Sequence, residues 1–511
     1  MDLNTAVLLA ALAGAVFVYV SFARKANAHR LPYPPGPKGW PVIGNMLDMP
    51  QDKPWETYAE WAKTYGPVVH LRMAGKPMII LNTAKAASDL LDARSANYSD
   101  RYQPTMVSLI GFAWNPVMMR YGAYWRQHRR LIHKYWNEDA IKTYEPVQMA
   151  KARKLLSLLL QDPENFVEHS RFTIGAALLE LIYGSPVEDG KHRYLKYAED
   201  VAKTVIEAFL PGNMVVEVLP FLQYMPSWSP GATYKKRLPQ WREDVIAMRS
   251  YAFEDVKANL ASGTARPSLV ARMLDEVSHL AGLEYQEQED IARNSSAVIY
   301  AAGADTTYST LQTFFLAMVL HPDVQRKAQE EMAKAIGPGR LPEFSDRESL
   351  PYIFAIIKEC TRWIPVVPLG VAHSSMEDDE YEGYLIPKGS VMMPNQWAIL
   401  HNPDDYPEPE AFNPERFMKD DRLNPDVRDP HTAAFGFGRR ICPGRHFSDA
   451  TLFINIASIL HVFDINPPVD EHGKPVYPEV KITSGLVTYP SAFKCIIKPR
   501  SPAAERLVHD L

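Results

Sequence analysis

Around one cysteine, in Phe435-Gly436-Phe437-Gly438-Arg439-Arg440-Ile441-Cys442-Pro443-Gly444, the chain sets glycines and arginines immediately before a helical run. Glycine adopts positive φ without steric cost and lets backbone pass close to a flat group. The stretch is therefore expected to be a tight turn with N–H groups converging on the sulfur. Near a helix N-terminus and beside Arg439, Arg440 and Arg445, the thiolate is expected to be favoured over the thiol. The competing reading of a lone cysteine is a buried structural residue in a turn. Cys360 and Cys495 are the other two cysteines, too few for a disulfide scaffold or a four-cysteine zinc site. Any important cysteine then acts singly, as a nucleophile or as a haem ligand.

Of 511 residues, 46% are hydrophobic and 23% charged, which excludes a disordered polymer and allows a large core. Lysine plus arginine (55) nearly balances aspartate plus glutamate (60), so the net charge of −5 offers no field for nucleic acid. Apolar residues at three- and four-residue spacing predict helices at 54–64, 121–137, 146–160, 240–260, 286–320, 322–336, 350–363 and 444–461. Residues 68–73 and 78–81 read as a hairpin across Ala74-Gly75-Lys76-Pro77, and 384–386 with 390–393 as another. Six prolines between Asn402 and Phe435 predict an irregular surface stretch. With no repeat or second linker, 38–511 reads as a single domain, mainly α with a small β region.

Thr5 to Phe22 carries no charge and is about 27 Å long as a helix, close to the thickness of a thin bilayer. A cleaved signal peptide would want a basic N-terminus. Here Asp2 precedes the apolar run, and Arg24, Lys25 and Arg30 follow it. Residues 1–24 are expected to be a transmembrane anchor with the remainder cytosolic, and 25–37, ending in Pro34-Pro35-Gly36-Pro37, a stiff connector.

The decapeptide resembles the haem-binding loop of the cytochrome P450 family, with Phe435, Gly438, Arg440, Cys442 and Gly444 on its pattern. That resemblance spans residues 34 to 500 and implies the family's mainly helical fold. It makes Cys442 the axial ligand of haem b and Arg440 a propionate contact, with Phe435 and Gly444 in the cofactor loop. Further matches support it. Glu359-Cys360-Thr361-Arg362 with Arg416 of Phe412-Asn413-Pro414-Glu415-Arg416-Phe417 is similar to the family's structural Glu–Arg–Arg network. Ala301-Ala302-Gly303-Ala304-Asp305-Thr306-Thr307 puts poor helix formers mid-helix, where a local distortion is expected. It resembles the oxygen groove, implying that Thr306 hydrogen-bonds the oxygen and Asp305 relays protons. In Trp125-Arg126-Gln127-His128-Arg129 the resemblance implies that Trp125 and Arg129 reach the propionates, as His373 does where many members have arginine. Arg126, Arg130 and Lys134 would form a docking patch for an electron donor.

The implied reaction is insertion of one oxygen atom from O2, with NADPH-derived electrons delivered by a separate NADPH–cytochrome P450 reductase and cytochrome b5 as an optional donor. A thiolate-haem isomerase, dehydratase or peroxygenase, and a non-catalytic membrane haem protein, are the alternatives. The pair Asp305-Thr306 disfavours both. The segments that the family uses to line its pocket are 105–114, 205–221, 298–310, 364–371 and 484–489. They contain no lysine or arginine and only Glu207, Glu217 and Asp305 as acids. A neutral lipophilic substrate is expected, as in fungal microsomal members acting on terpenoids, sterols, polyketides and aromatics in secondary metabolism. The expected location is the endoplasmic reticulum membrane, in contact with its lipid.

Overall fold

The computed structural model describes residues 31–209 and 215–511. The anchor expected at 1–24 lies outside the described residues, as does most of the connector. Among the described residues no helix is long and apolar enough to cross a membrane. The part of the connector that is described is extended, and it is tied down. Pro35 O accepts the His70 N–H at 2.9 Å, and Pro32 O accepts that of Leu385 at 2.8 Å.

The described residues group into two compact units, one of residues 31–102 with Leu369–Ile399 and one within Gln103–Pro368 together with Leu400–Leu511. The first holds a five-stranded sheet in the order Val68–Met73, Lys76–Leu81, Val391–Pro394, His373–Ser374, Asp100–Arg101. The first two strands form the expected hairpin, but its turn is only Ala74-Gly75, at φ +47° and +87°. Two residues at positive φ match the twist of paired strands, so Lys76 and Pro77 are drawn into the ladder. The second expected hairpin is not formed. Tyr384–Ile386 pairs with Asp379–Tyr381, whereas Val391–Pro394 runs parallel to Lys76–Leu81. Glu382-Gly383, at φ +51° and +81°, makes the tighter turn, and burial of Val391 and Met392 favours the sheet centre.

The second unit is built on the central helix, Gly282–Leu320, whose 39 residues span about 58 Å. It is longer than expected and runs as continuous α-helix through 301–307, so the distortion expected there is absent. The sequence cost is met locally. Thr306 Oγ1 donates back to Ala302 O at 2.8 Å, and a Cβ on Gly303 would stand 3.1 Å from Leu178 Cδ1 of the neighbouring helix Phe166–Tyr183. That neighbour has no predicted counterpart because it is apolar nearly all round and shows no amphipathic period. Gly184, at φ +64°, ends it. The other expected helices appear as Pro54–Tyr65 in the first unit and Ala123–Trp136, Glu145–Gln161, Pro322–Ala335, Pro351–Trp363 and Arg445–Val462 in the second, and 240–260 carries a π-helical turn at Ala247–Tyr251.

Glu359 and Arg362, both fully buried on Pro351–Trp363, pair at 2.7 and 2.9 Å. Arg416 Nε reaches Glu359 at 3.2 Å and the Asn413 N–H donates to it at 2.7 Å. Arg362 also donates to Leu400 O, Pro409 O and Ala411 O. The structure thus joins these three charges and hangs the irregular stretch after Leu400 on one helix. Arg362→Met is expected to lower the unfolding free energy by about 3–5 kcal/mol, because it leaves a carboxylate and several carbonyls short of donors in the interior. Denaturant midpoints measure it, and a loss below about 1 kcal/mol would contradict the network's structural role.

Candidate active site

Cys442 sits where the turn meets the helix Arg445–Val462. Its N–H donates to Phe435 O at 2.8 Å, and Gly436 and Gly438 take φ of +78° and +54°. The expectation of an intrinsically favoured thiolate is not met. Burial pushes the Cys442 thiol up, and the Gly444 N–H, the Arg129 and Arg445 guanidiniums and the Arg445 N–H only partly offset it. Burial and these donors thus oppose one another, and a coordinated metal ion would remove the proton outright.

Arg129 is pushed below its ordinary range by burial, while the sulfur of Cys442 draws it back. No hydrogen bond or carboxylate holds it among the described residues, so it is a desolvated cation that an anion would suit. Trp125 and Arg440 are differently placed. Trp125 Nε1 donates to Pro116 O at 3.1 Å, and Arg440 donates to Pro116 O at 3.2 Å and Met119 O at 2.7 Å. The Arg440 guanidinium lies 4.1 Å from the Trp125 ring. Both are thereby fixed to the 115–119 turn. Phe435 supplies the carbonyl under Cys442. At Gly444 a Cβ would stand 3.6 Å from Cys442 Sγ, which is ordinary contact. His373 belongs to the other unit, where its Nδ1 lies 2.7 Å from Tyr98 O.

The central helix passes the same region, with Thr307 Oγ1 3.5 Å from Ser448 Oγ of the helix after Cys442. Residues 294–300 and 307–319 are buried, yet Ala301, Ala302, Gly303, Asp305 and Thr306 keep accessible surface. Accessible surface halfway along a buried helix means that the helix borders a cavity. Asp305 turns toward Arg171, Nη2 to Oδ1 3.3 Å, on Phe166–Tyr183. Burial still holds the Asp305 carboxyl above the ordinary range, against the pull of Arg171 and with a push from Glu199.

Sequence reading missed two of these neighbours. Arg171 lay in an unpredicted helix and carried no local signal. Trp136, whose indole stands against Gly444 and packs 5.1 Å from Phe447, was legible. It falls on the same helical face as Trp125, Arg129 and Ile132. The expected docking patch is partly neutralised, since Lys134 pairs with Glu276 at 2.6 Å.

A half-buried cysteine at a helix start, an unpaired guanidinium one helix away and a small-residue groove fit a flat anionic macrocycle. The family model for cytochrome P450 matches residues 34–496. The chain belongs to the cytochrome P450 family. Cytochrome P450 monooxygenase COX1 of Coprinopsis cinerea is 42% identical over 98% of both chains. A cytochrome P450 monooxygenase of Armillaria gallica is 42% identical over 94% of both. Tryptamine 4-monooxygenase of Psilocybe cyanescens is 38% identical over 97% of this chain and 98% of its own. This cytochrome P450 is a monooxygenase, and the family implies haem and O2.

A pH dependence follows from Asp305. Its folded-state carboxyl lies above the unfolded value, so its contribution to stability is full below the unfolded range and is lost as pH rises through the folded one. Asp305→Asn removes that penalty. The variant is expected to melt higher than wild type at pH 7 and to lose the advantage as pH falls toward 4. A melting temperature equal to or below wild type at pH 7 would mean that Arg171 outweighs burial.

Proposed function

We propose that this protein oxygenates a neutral lipophilic substrate, a terpenoid, sterol, polyketide or aromatic, in fungal secondary metabolism. Held through Cys442, haem b supplies the oxygen-activating chemistry. The chain's own residues supply the rest. Gly444 and Arg445 N–H groups and the Arg129 guanidinium favour negative charge on the sulfur. Arg129 and Arg440 would take the propionates, and Trp125, whose one N–H goes to Pro116 O, would hold the Arg440 guanidinium over its ring. Thr306 holds a proton on its hydroxyl, at present donated to Ala302 O, and a rotation about χ1 turns it to the cavity. Asp305, anchored by Arg171, is the relay behind it. The acid–alcohol pair favours oxygenation over isomerase or peroxygenase chemistry.

The substrate reading rests on the fate of the three pocket acids. Glu207 pairs with Arg237 at 2.6 Å and accepts from Trp241 at 3.1 Å. Glu217 accepts the Thr105 and Met106 N–H groups at 2.9 and 2.8 Å, and Asp305 holds Arg171. Each is engaged, so a cationic amine would lack a dedicated counter-ion, while Met106, Ile110, Val216 and Leu222 offer an apolar cluster. Psilocybe cyanescens tryptamine 4-monooxygenase, whose name gives it an amine, would then differ in this respect. Electrons would come from NADPH through a separate reductase or cytochrome b5, since the chain carries no flavin or dinucleotide motif. Arg126 and Arg130 would be the docking charges. The apolar run at 5–22 supports a single-pass anchor in the endoplasmic reticulum membrane, with lipid contact and a cytosolic catalytic part.

Screening by the substrate-induced Soret shift tests the class. Neutral lipophilic compounds are expected to give the shift, and a stronger response to tryptamine would refute this reading. In reconstituted enzyme Thr306→Ala should leave haem uptake and substrate binding intact. NADPH consumption should continue while product per NADPH falls severalfold and peroxide is released, within the roughly 10²–10⁴-fold range of positioned proton donors. Coupling equal to wild type would exclude Thr306 from proton delivery.

A further inference from the structure

The segment that carries Cys442 begins at the short helix His431–Ala434 and ends in Arg445–Val462, and an unassigned group of charges lies at its base. His431 Nε2 faces Asp449 Oδ1 at 3.7 Å, and its Nδ1 faces Asp429 Oδ1 at 4.0 Å. The facing atoms, His431 Nε2 and Asp449 Oδ1, are buried and have no hydrogen-bond partner among the described residues. Native interiors seldom leave even one such atom unsatisfied, and here two of complementary chemistry face each other. Closing the gap by about 0.9 Å would make a charge-assisted hydrogen bond.

The surroundings favour a cation between the two carboxylates. Burial pushes the Asp449 carboxyl up, and His431 is the foremost of the groups opposing it, ahead of Arg347 and Lys358, with Asp429 pushing the same way as burial. Asp429 is desolvated too, yet His431 and Lys358 hold it below the ordinary carboxylate range. Arg347 stacks on Phe354 and Phe453, which keeps it beside the group without joining it. Toward the cysteine, the His431 ring meets that of Phe435 edge-on at 5.0 Å, and Phe435 O is the acceptor of the Cys442 N–H. Ring and carbonyl belong to one residue, so a change at His431 is felt at the backbone under the sulfur.

We propose that His431, set between Asp429 and Asp449, is a positioning residue that clasps shut the base of the segment carrying Cys442. The inference rests on Cys442 being the haem ligand. Asp429 also accepts the His431 backbone N–H at 3.0 Å, so its carboxylate faces both the ring and the main chain of that residue. Its effect on the sulfur is twofold: it fixes the loop, and it balances charge near the ligand.

The test uses the full chain loaded with haem, in Asp449→Asn, His431→Gln, His431→Lys and the Asp449→Asn/His431→Gln double variant. Readouts are the reduced carbon-monoxide spectrum, the reduction potential and the rate of haem release to apomyoglobin. Asp449→Asn should raise the potential and His431→Gln should lower it, whereas damage that merely opens the site moves both the same way. Each neutralising single variant should speed haem release severalfold, and the double variant should be no faster than the faster single, as for residues acting through one contact. His431→Lys, which places a fixed cation between the two carboxylates, should stay nearer wild type than His431→Gln and provides the comparison if Asp449→Asn does not fold. Shifts of the same sign, or haem-release effects that multiply, overturn the clasp alone. A wild-type thiolate band that is absent, or that survives Cys442→Ser, overturns the ligand assignment and the clasp with it.

Discussion

The buried carboxylate of Glu359, shared by Arg362 and Arg416, is the joint on which the geometry around Cys442 depends. Ion pairs taken wholly out of water contribute little net stability, because desolvation consumes what attraction returns. Their value here is placement. The stretch between Leu400 and Phe417 has little regular structure to locate it, and Arg362 reaches three of its carbonyls while Arg416 reaches others. An apolar replacement could fill the volume, but it could not specify which carbonyls meet which helix. The chain beyond Phe417, down to the cysteine turn, inherits its position from that choice.

Two opposed demands meet on the central helix. It must be regular enough to support the second unit, and it must open a groove beside the sulfur. Gly303 and Ala302 open space, and the hydroxyl of Thr306 satisfies itself on its own helix, so no turn is broken. Asp305 is the remaining strain. Its burial is only partly compensated by Arg171, which leaves its carboxyl above the ordinary range.

Much of this was legible in the sequence, and the failures have physical causes. Amphipathic helices announce themselves, so 54–64, 322–336 and 350–363 came within a few residues. Phe166–Tyr183 did not, because a helix apolar nearly all round shows no clear period, and Arg171 disappeared with it. The strand Val391–Pro394 was found but given the wrong partner, since parallel pairing with Lys76–Leu81 spans more than 300 positions and leaves no local mark. At the site the cysteine turn was clear from glycine and arginine placement. The burial of its sulfur was not, because burial is a property of the fold and counting nearby arginines cannot supply it.

Where Gly303 meets Leu178 the two helices leave less than one methyl group of slack. Such a contact behaves as a shared volume, and evolution can redistribute it but not enlarge it freely. A lineage that gains a side chain at 303 must trim 178 or push the helix bearing Arg171 outward, and with it the counter-ion of Asp305. Substitutions at 178, remote from any substrate, therefore belong to the same heritable unit as the acid beside Thr306, and the two positions should be read together when this chain diversifies.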